Sequence, residues 1–448
     1  MIKIASVKGR CLRPAAAVLC LALAAQPLLA QQDKPLTLEE AVRLALDRNE
    51  RSLVTKEYVA SAEAAVARAR AYFMPTLTTT GTYLRRPYEV RRTVGSSEIV
   101  IQRFNAIGGV ANLNLTLFDS KSIPTLNWAK SQEQSILASS AEARRQLAFE
   151  VSQAFLQTLG VERLIVAARQ RYDYAKQTLD AAQARYKGGL VSVNDVTLAE
   201  LEAATAEVNV TSLEGQYETS KLELGHLLDV PASAAQTLVV PEFLIQAAQG
   251  EAADAEKLVA EAQTRRLDLV SLQHLAKAQH ALAMEPVLRW MPSLSLNSQY
   301  RYTNEAGLTG ISTNWNIGLT LSWTIFDGFT RGADYKDLMA QAQVADLNVR
   351  ASMRQVEVDV RDALVSLTSQ RASLKQAVTA QQAAQKNAGE TAELYRQGLA
   401  QALQVADANV SLFEAEVALV SQRYGLGINF LNLEAAMGLD PFGKEPIK

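Results

Sequence analysis

Three histidines, His226, His274 and His280, are the only imidazoles in the 448-residue chain. None stands at metal-ligand spacing from a cysteine or carboxylate. No glycine-rich phosphate loop or nucleophile motif accompanies them. The sequence therefore supports no catalytic residue, no metal site and no cofactor. What its spacing does support is polar and electrostatic chemistry. Asn316, Gly318, Thr320, Ser322 and Thr324 fall at every second position, with Trp315, Ile317, Leu319, Leu321, Trp323 and Ile325 between them. Asn112, Asn114 and Thr116 alternate in the same way with Ala111, Leu113, Leu115 and Leu117. A strand with this period has one apolar and one polar face, and the polar face can line water. Five arginines, Arg85, Arg86, Arg91, Arg92 and Arg103, crowd one loop. They read either as a solvated loop or as a contact for anionic lipid head groups.

The elements that must carry these faces are written twice. Met74-Pro75 recurs as Met291-Pro292, Leu117-Phe118-Asp119 as Ile325-Phe326-Asp327, and Tyr186 to Leu190 as Tyr395 to Leu399. Leu228-Asp229-Val230-Pro231 recurs as Leu439-Asp440-Pro441. The order is kept, so the chain is a duplication. A first repeat is expected at 31–241, with strands near 75–85 and 107–118 and a helical hairpin at 122–229. A second is expected at 242–448, with strands near 292–303 and 314–326 and a hairpin at 330–438.

Residues 1–30 read as a secretory signal peptide. Lys3, Lys8, Arg10 and Arg13 precede the apolar run Ala15 to Ala25, and Ala30 ends a cleavage site. Its removal takes both cysteines, Cys11 and Cys20, and shifts the formal charge from −2 to about −6. Nucleic-acid binding, which needs a basic footprint, is then disfavoured. Lipidation at Cys20 is disfavoured too, because Leu19 stands where a small residue is needed. No apolar run after residue 30 is long enough for a membrane helix, so any membrane contact is made by strands. Each run is about 10 residues, the length of a tilted membrane strand. Four strands cannot close a barrel, and lipid does not tolerate an open edge. Two copies give eight strands, with a lumen filled by side chains; three give twelve, with room for water.

The helices are long. Gly160 is the only glycine from Ile123 to Tyr186, and small or apolar residues recur at alternating spacings of four and three from Leu147 through Val151, Ala154 and Thr158 to Tyr186. Copy two repeats this from Val356 to Tyr395. The return helices do so from Val196 to Leu227 and from Val405 to Leu433. A sustained 3.5-residue repeat specifies a coiled-coil seam. Many seam positions are Ala, Thr, Ser or Gln, which suits a thin curved wall better than a dense bundle. Segments Arg51 to Tyr72 and Asp268 to Trp290 extend the shorter return helices to nearly match the long ones. Thr37-Leu38-Glu39-Glu40 is a capping box for a short helix ending near Arg48-Asn49; copy two lacks that cap at Ala252-Ala253-Asp254.

The opening motif Thr37 to Asn49, the Met-Pro starts of the first strands, the Phe-Asp ends of the second and the Tyr-x-x-Gly-Leu turns together resemble the TolC-type outer-membrane efflux proteins. The resemblance covers essentially the whole chain after residue 30. It implies an α+β membrane protein, a homotrimer whose 12-stranded β-barrel in the outer membrane continues into a 12-helix periplasmic α-barrel. It also implies a periplasmic adaptor and an inner-membrane transporter as partners, and passive export of drugs or small molecules. The helix turns, with Gly188, Gly189, Leu190, Gly398 and Leu399, would be the adaptor-facing tips. The periplasmic gate positions of the family fall at Gln404 and Asp407, so one of two acids is kept. Tyr395 and Asp195 match two members of a hydrogen-bond lock, and its basic member falls at Ala400. Two alternatives stay open: a duct for one-step protein secretion, and a coiled-coil tether of the envelope that conducts nothing.

Overall fold

The computed structural model describes residues 35–231, 237–250, 254–306 and 309–445; the expected signal peptide, with Cys20, lies outside them. Each copy begins with short helices. Helix α1 (Leu38–Arg48) is capped by Thr37, whose hydroxyl accepts the Glu40 amide. Asn49 then caps α2 (Glu50–Ala71) and its side-chain amide donates to the Leu227 carbonyl, tying α2 to the far end of the return helix. In copy two, α5 (Glu242–Ala247) precedes α6 (Ala255–Arg265), which is capped after all. The Asp254 carboxylate accepts the Glu256 amide at 3.2 Å. An Asx cap needs no following glutamate, so the absence of a capping box is not the absence of a cap. The expected single helix from Asp268 to Trp290 is divided into α7 (Leu267–Ala283) and α8 (Glu285–Leu288). Pro286 lacks an amide proton and its ring crowds the carbonyl four residues back, so α7 stops before it.

Strands β1 (Thr76–Arg85), β4 (Asn105–Phe118), β5 (Ser293–Thr303) and β6 (Thr313–Ser322) form one antiparallel sheet in the order β1-β4-β5-β6. The pleat sorts the side chains across all four strands. Leu77 pairs with Leu113, Tyr83 with Ile107, Leu115 with Leu296, Leu296 with Leu319 and Tyr300 with Trp315. These share one face. On β1 and β6, Leu77, Trp315, Ile317, Leu319 and Leu321 are each more than 60% exposed. The opposite face carries a polar ladder, in which Gln299 donates to Asn112 at 2.9 Å and Asn297 to Thr320 at 2.9 Å. The apolar face also carries a few polar side chains, among them Thr79 and Ser298, and the Ser298 hydroxyl is satisfied by the Asn316 carbonyl. The outer edges of β1 and β6 have no strand partner among the described residues.

Two strand expectations need correction. The last strand, expected to reach residue 326, ends at Ser322. There the Trp323 indole donates to the Trp290 carbonyl and Arg331 takes the Thr324 carbonyl, which turns the chain toward the helix. The arginine-rich loop is also not simply a loop. It contains a second sheet, the hairpin β2 (Val90–Val94) and β3 (Ser97–Gln102).

The long helices α3 (Ser122–Lys187) and α9 (Thr330–Arg396) run 66 and 67 residues, and the return helices α4 (Val193–Leu228) and α10 (Ala402–Ala436) run 36 and 35. At about 1.5 Å per residue the long pair spans roughly 100 Å. Pro124 sits in the first turn of α3, where its absent amide proton removes no intrahelical bond. The seams pack as their spacing requires. Leu147, Val151, Thr158, Ile165, Ala168, Ala175 and Ala182 are buried on α3, and Val356, Val360, Ala363, Leu367, Ala377, Ala388 and Tyr395 on α9. A polar seam layer is satisfied internally, with Gln370 donating to the Gln422 side chain at 2.7 Å. The contacts order the helices α4-α3-α10-α9 in the tip-ward half and α2-α3-α7-α9 in the sheet-ward half. This is a wall one helix thick. The largest apolar core lies at mid-length, where α1 lays Leu38, Ala41, Val42 and Ala45 against Leu147, Val151, Phe155, Leu159 and Leu224. Each fully buried leucine or phenylalanine there contributes about 1.5–3 kcal/mol.

Candidate functional site

The two helix turns at the far end of the wall are built alike. In the first, the Gly189 amide bonds the Tyr186 carbonyl and the Leu190 amide reaches Arg185, both at 2.9 Å. In the second, the Gly398 amide bonds Tyr395 at 3.0 Å and Leu399 reaches Leu394 at 2.9 Å. This paired bonding closes a helix with a left-handed residue, which is why glycine stands there. Gly189 has φ +71° and Gly398 φ +79°, and a Cβ on either would meet nothing within 4 Å. Gly188 is not in that conformation; it is the helix C-cap with φ −83°. The turns project Leu190 and Leu399 outward, 77% and 73% exposed. Both turns are therefore small, open and apolar at the tip.

The helices that follow each turn start with matching caps. Ser192 caps α4, and the Asp195 carboxylate reaches back to the Ser192 amide at 3.0 Å and its hydroxyl at 2.9 Å. Gln401 stands at the N-cap of α10, and the Gln404 side-chain oxygen accepts the Gln401 amide at 2.9 Å. Asp195 and Gln404 thus occupy equivalent places in the two repeats. The lock expected between Asp195 and Tyr395 is not formed within the protomer: the Asp195 carboxylate is taken up by the cap. Asp407 is exposed, two residues past the buried seam residue Val405, so it lies off the helix contact.

Tyr395 is held instead by Arg185. The guanidinium carbon stands 4.3 Å from the Tyr395 ring centroid. Its Nη2 donates to the Tyr395 carbonyl at 2.8 Å and the Arg396 carbonyl at 3.1 Å. These carbonyls end α9, where the negative end of the helix dipole favours a cation. One residue therefore clasps the first tip to the second. The Tyr395 ring is buried, and its hydroxyl has no partner among the described residues. Sequence reasoning misses Arg185 because it places the basic member of the lock at Ala400, on the second tip. The signal lies in the other repeat. Arg185 aligns with Leu394, so the two tips differ by one cation placed just before the turn tyrosine.

The wall and sheet meet at two further clusters. Tyr72 donates its hydroxyl to buried Asp119, and this bond pushes the phenol up to about 12. In copy two, Asp327 instead holds Arg331, whose guanidinium lies 4.1 Å from a Trp290 ring centroid. The repeated Phe-Asp pairs thus anchor each long helix below its strand. Among the described residues no helix is long and apolar enough to cross a membrane, and no histidine, cysteine and carboxylate group could hold a metal.

Comparison with known proteins agrees with the duplicated plan. The family described as outer membrane efflux protein matches residues 41–229 and again 258–439. The outer membrane protein TolC of Salmonella enteritidis is 24% identical over 65% of this chain, and OprJ of Pseudomonas aeruginosa is 24% identical over 90% of this chain and 84% of its own length. The matched stretch spans 61% of the length of that TolC and of nodulation protein T of Rhizobium leguminosarum bv. trifolii. The crystal structure of the outer membrane protein VceC of Vibrio cholerae superposes with a TM-score of 0.74 at 18% identity, covering 90% of this chain and 96% of VceC. Two family matches, one on each repeat and together covering most of the sequence, identify this chain as a member of the outer membrane efflux protein family.

Proposed function

We propose that the protein is the outer-membrane exit duct of a tripartite efflux assembly, a trimer that passes drugs or small molecules from the periplasm to the outside. The observation that carries this is the sheet. Its register collects apolar side chains on one face and an Asn, Gln and Thr ladder on the other, and both of its edges are open. A lipid-facing sheet must close, and three copies joined β6 to β1 give a 12-stranded barrel with a polar lumen. The helical wall supports the same closure. Its free edge helix α4 carries exposed Leu201, Val208 and Leu222 at seven-residue spacing, with Gly215 in the remaining place. The opposite edge helix, α9, exposes Val344, Leu347, Val358 and Val365. The α4 stripe lies in the tip-ward half and the α9 stripe mostly in the sheet-ward half, so each leaves apolar surface for a neighbouring copy in a ring. The tips, with Gly188, Gly189, Leu190, Gly398 and Leu399, are the docking points for a periplasmic adaptor that couples the duct to an inner-membrane transporter. Asp407 and Gln404, with Asp195 and Tyr395, belong to the constriction at that end.

Sedimentation of the detergent-extracted protein as a trimer, with ion conductance in planar bilayers, is the expected result. A monomer or dimer would sink the closure, and a trimer that never conducts would leave an envelope tether. Loss of drug resistance on deletion, rather than loss of a secreted protein, separates efflux from one-step protein secretion.

A further inference from the structure

The arginine-rich hairpin at the outer end of the sheet is not used by a passive duct, and its arginines fall into two groups. Arg86 is paired with Glu305, and Arg91 with Glu89 and Glu98 at 3.0 and 3.5 Å. Glu305 also accepts the Arg103 amide at 2.8 Å, which fixes the base of the hairpin to the end of β5. The second group, Arg85, Arg92 and Arg103, is exposed and has no carboxylate partner among the described residues. Arg85 is placed by the pleat. It lies opposite Asn105, on the same face of β1 as Leu77 and Tyr83, at the end of the apolar band. Tyr83, Tyr302 and Trp315 mark this end on the apolar face, as aromatic girdles do at a membrane boundary. The Arg85 guanidinium lies 4.8 Å from the Phe104 ring centroid, which supports it at that level and leaves its N–H fork free. Arg92 pairs across the hairpin with Ile99, so an unpaired cation and an apolar side chain share a face. Every cation from Glu57 to Ser120 is arginine, with no lysine. Arginine presents a planar fork that matches phosphate oxygens two at a time.

We propose that Arg85, Arg92 and Arg103 form a basic rim that binds the phosphate groups of outer-leaflet lipids around the barrel. This rests on reading the sheet as a lipid-facing barrel wall. The pairing of Arg86 and Arg91 shapes the hairpin; the unpaired three supply the contact. Each basic residue near an anionic surface strengthens binding about fivefold.

The test uses native mass spectrometry of the intact protein in neutral detergent, titrated with phosphatidylglycerol or with phosphatidylcholine. The wild type should retain phosphatidylglycerol at least tenfold better. R85Q/R92Q/R103Q should lose that preference, R92Q alone about fivefold of it, and R301Q, on the polar face, none. Inorganic phosphate at millimolar concentration should leave the lipid bound. Equal retention of both lipids by the wild type overturns the proposal, as does full displacement by inorganic phosphate, which would make it a free-anion site. Loss of trimers in the triple variant in neutral detergent would reassign the arginines to subunit contacts. A wild type that neither trimerises nor conducts would instead overturn the barrel reading beneath it.

Discussion

In the proposed duct, Arg185→Ala should loosen the tip end, and the contacts it removes set the size of the effect. The substitution removes a guanidinium stacked 4.3 Å from the Tyr395 ring centroid and the Nη2 bonds to the Tyr395 and Arg396 carbonyls. A partly exposed cation–π contact contributes about 0.5–1 kcal/mol. One nitrogen shared between two carbonyls, half-buried, contributes about 1.5–2 kcal/mol. The sum of about 2–3 kcal/mol corresponds to roughly a 30- to 150-fold rise in separated tips, at tenfold per 1.4 kcal/mol. Single-channel recording in planar bilayers reads this as open probability, with trimer retention as the control. Arg185→Lys, which keeps charge but not the planar stack, should fall between. Tyr395→Phe provides the sharper contrast. The Tyr395 hydroxyl is buried without a partner, so its loss should leave the channel closed. If Tyr395→Phe opens the channel while Arg185→Ala does not, the tips are locked through the hydroxyl and a group outside the protomer, and the clasp has no part in closure.

Four other outcomes are expected. Leu319→Arg, on the apolar face, should cost about 2–4 kcal/mol of assembly, whereas Thr320→Arg should assemble and alter conductance; equal defects would mean the faces are misassigned. Gly398→Trp has room for a side chain but forces a φ of +79° on a residue that resists it, and should abolish efflux while trimers form; unchanged drug resistance would remove the tips from the adaptor interface. Asp407→Asn should lower cation selectivity, read as reversal potential in a salt gradient, because a ring of carboxylates favours cations; Gln404→Asp should raise it and still accept the N-cap amide of α10, as Asp195 does in α4, and no shift in either would take these residues out of the constriction. Glu434 is buried with one oxygen unpartnered, and burial first, then Asp440, pushes its carboxyl up to about 8. The folded state therefore holds this proton more tightly than the unfolded chain, so the stabilisation is complete below about pH 4.5 and is lost as pH rises through about 8. Glu434→Gln should melt like the wild type at pH 4 and above it at pH 9; parallel melting curves would mean that Glu434 is not buried.

The duplication, the strand faces and the coiled-coil seams are all legible in the amino-acid order, because each depends on a short period in the chain. Period two assigns Leu319 and Thr320 to opposite faces, and the four-and-three spacing picks out Val151, Ala168, Val360 and Leu367 as seam. Such patterns reflect local geometry, which every residue reports independently. Element ends are less legible. The stop at Ser322 depends on Trp290 and Arg331, which lie outside the strand, and the cap at Asp254 needs only one side-chain bond. The hairpin β2–β3 has no clean alternation, since Arg91 and Arg92 are adjacent and a bulge shifts the register beside Val90. The site needs tertiary structure most. Asp195 and Tyr395 can be set side by side on a family pattern, but competition for the carboxylate is local, and Ser192 wins it. Arg185 reaches Tyr395 across 210 residues of sequence, and no periodicity carries that information. The sequence alone determined which sheet face is apolar, which is polar and which helix positions meet neighbouring helices. The tertiary structure decided which single side chain joins the two tips, because that contact exists only once two separately specified hairpins lie side by side.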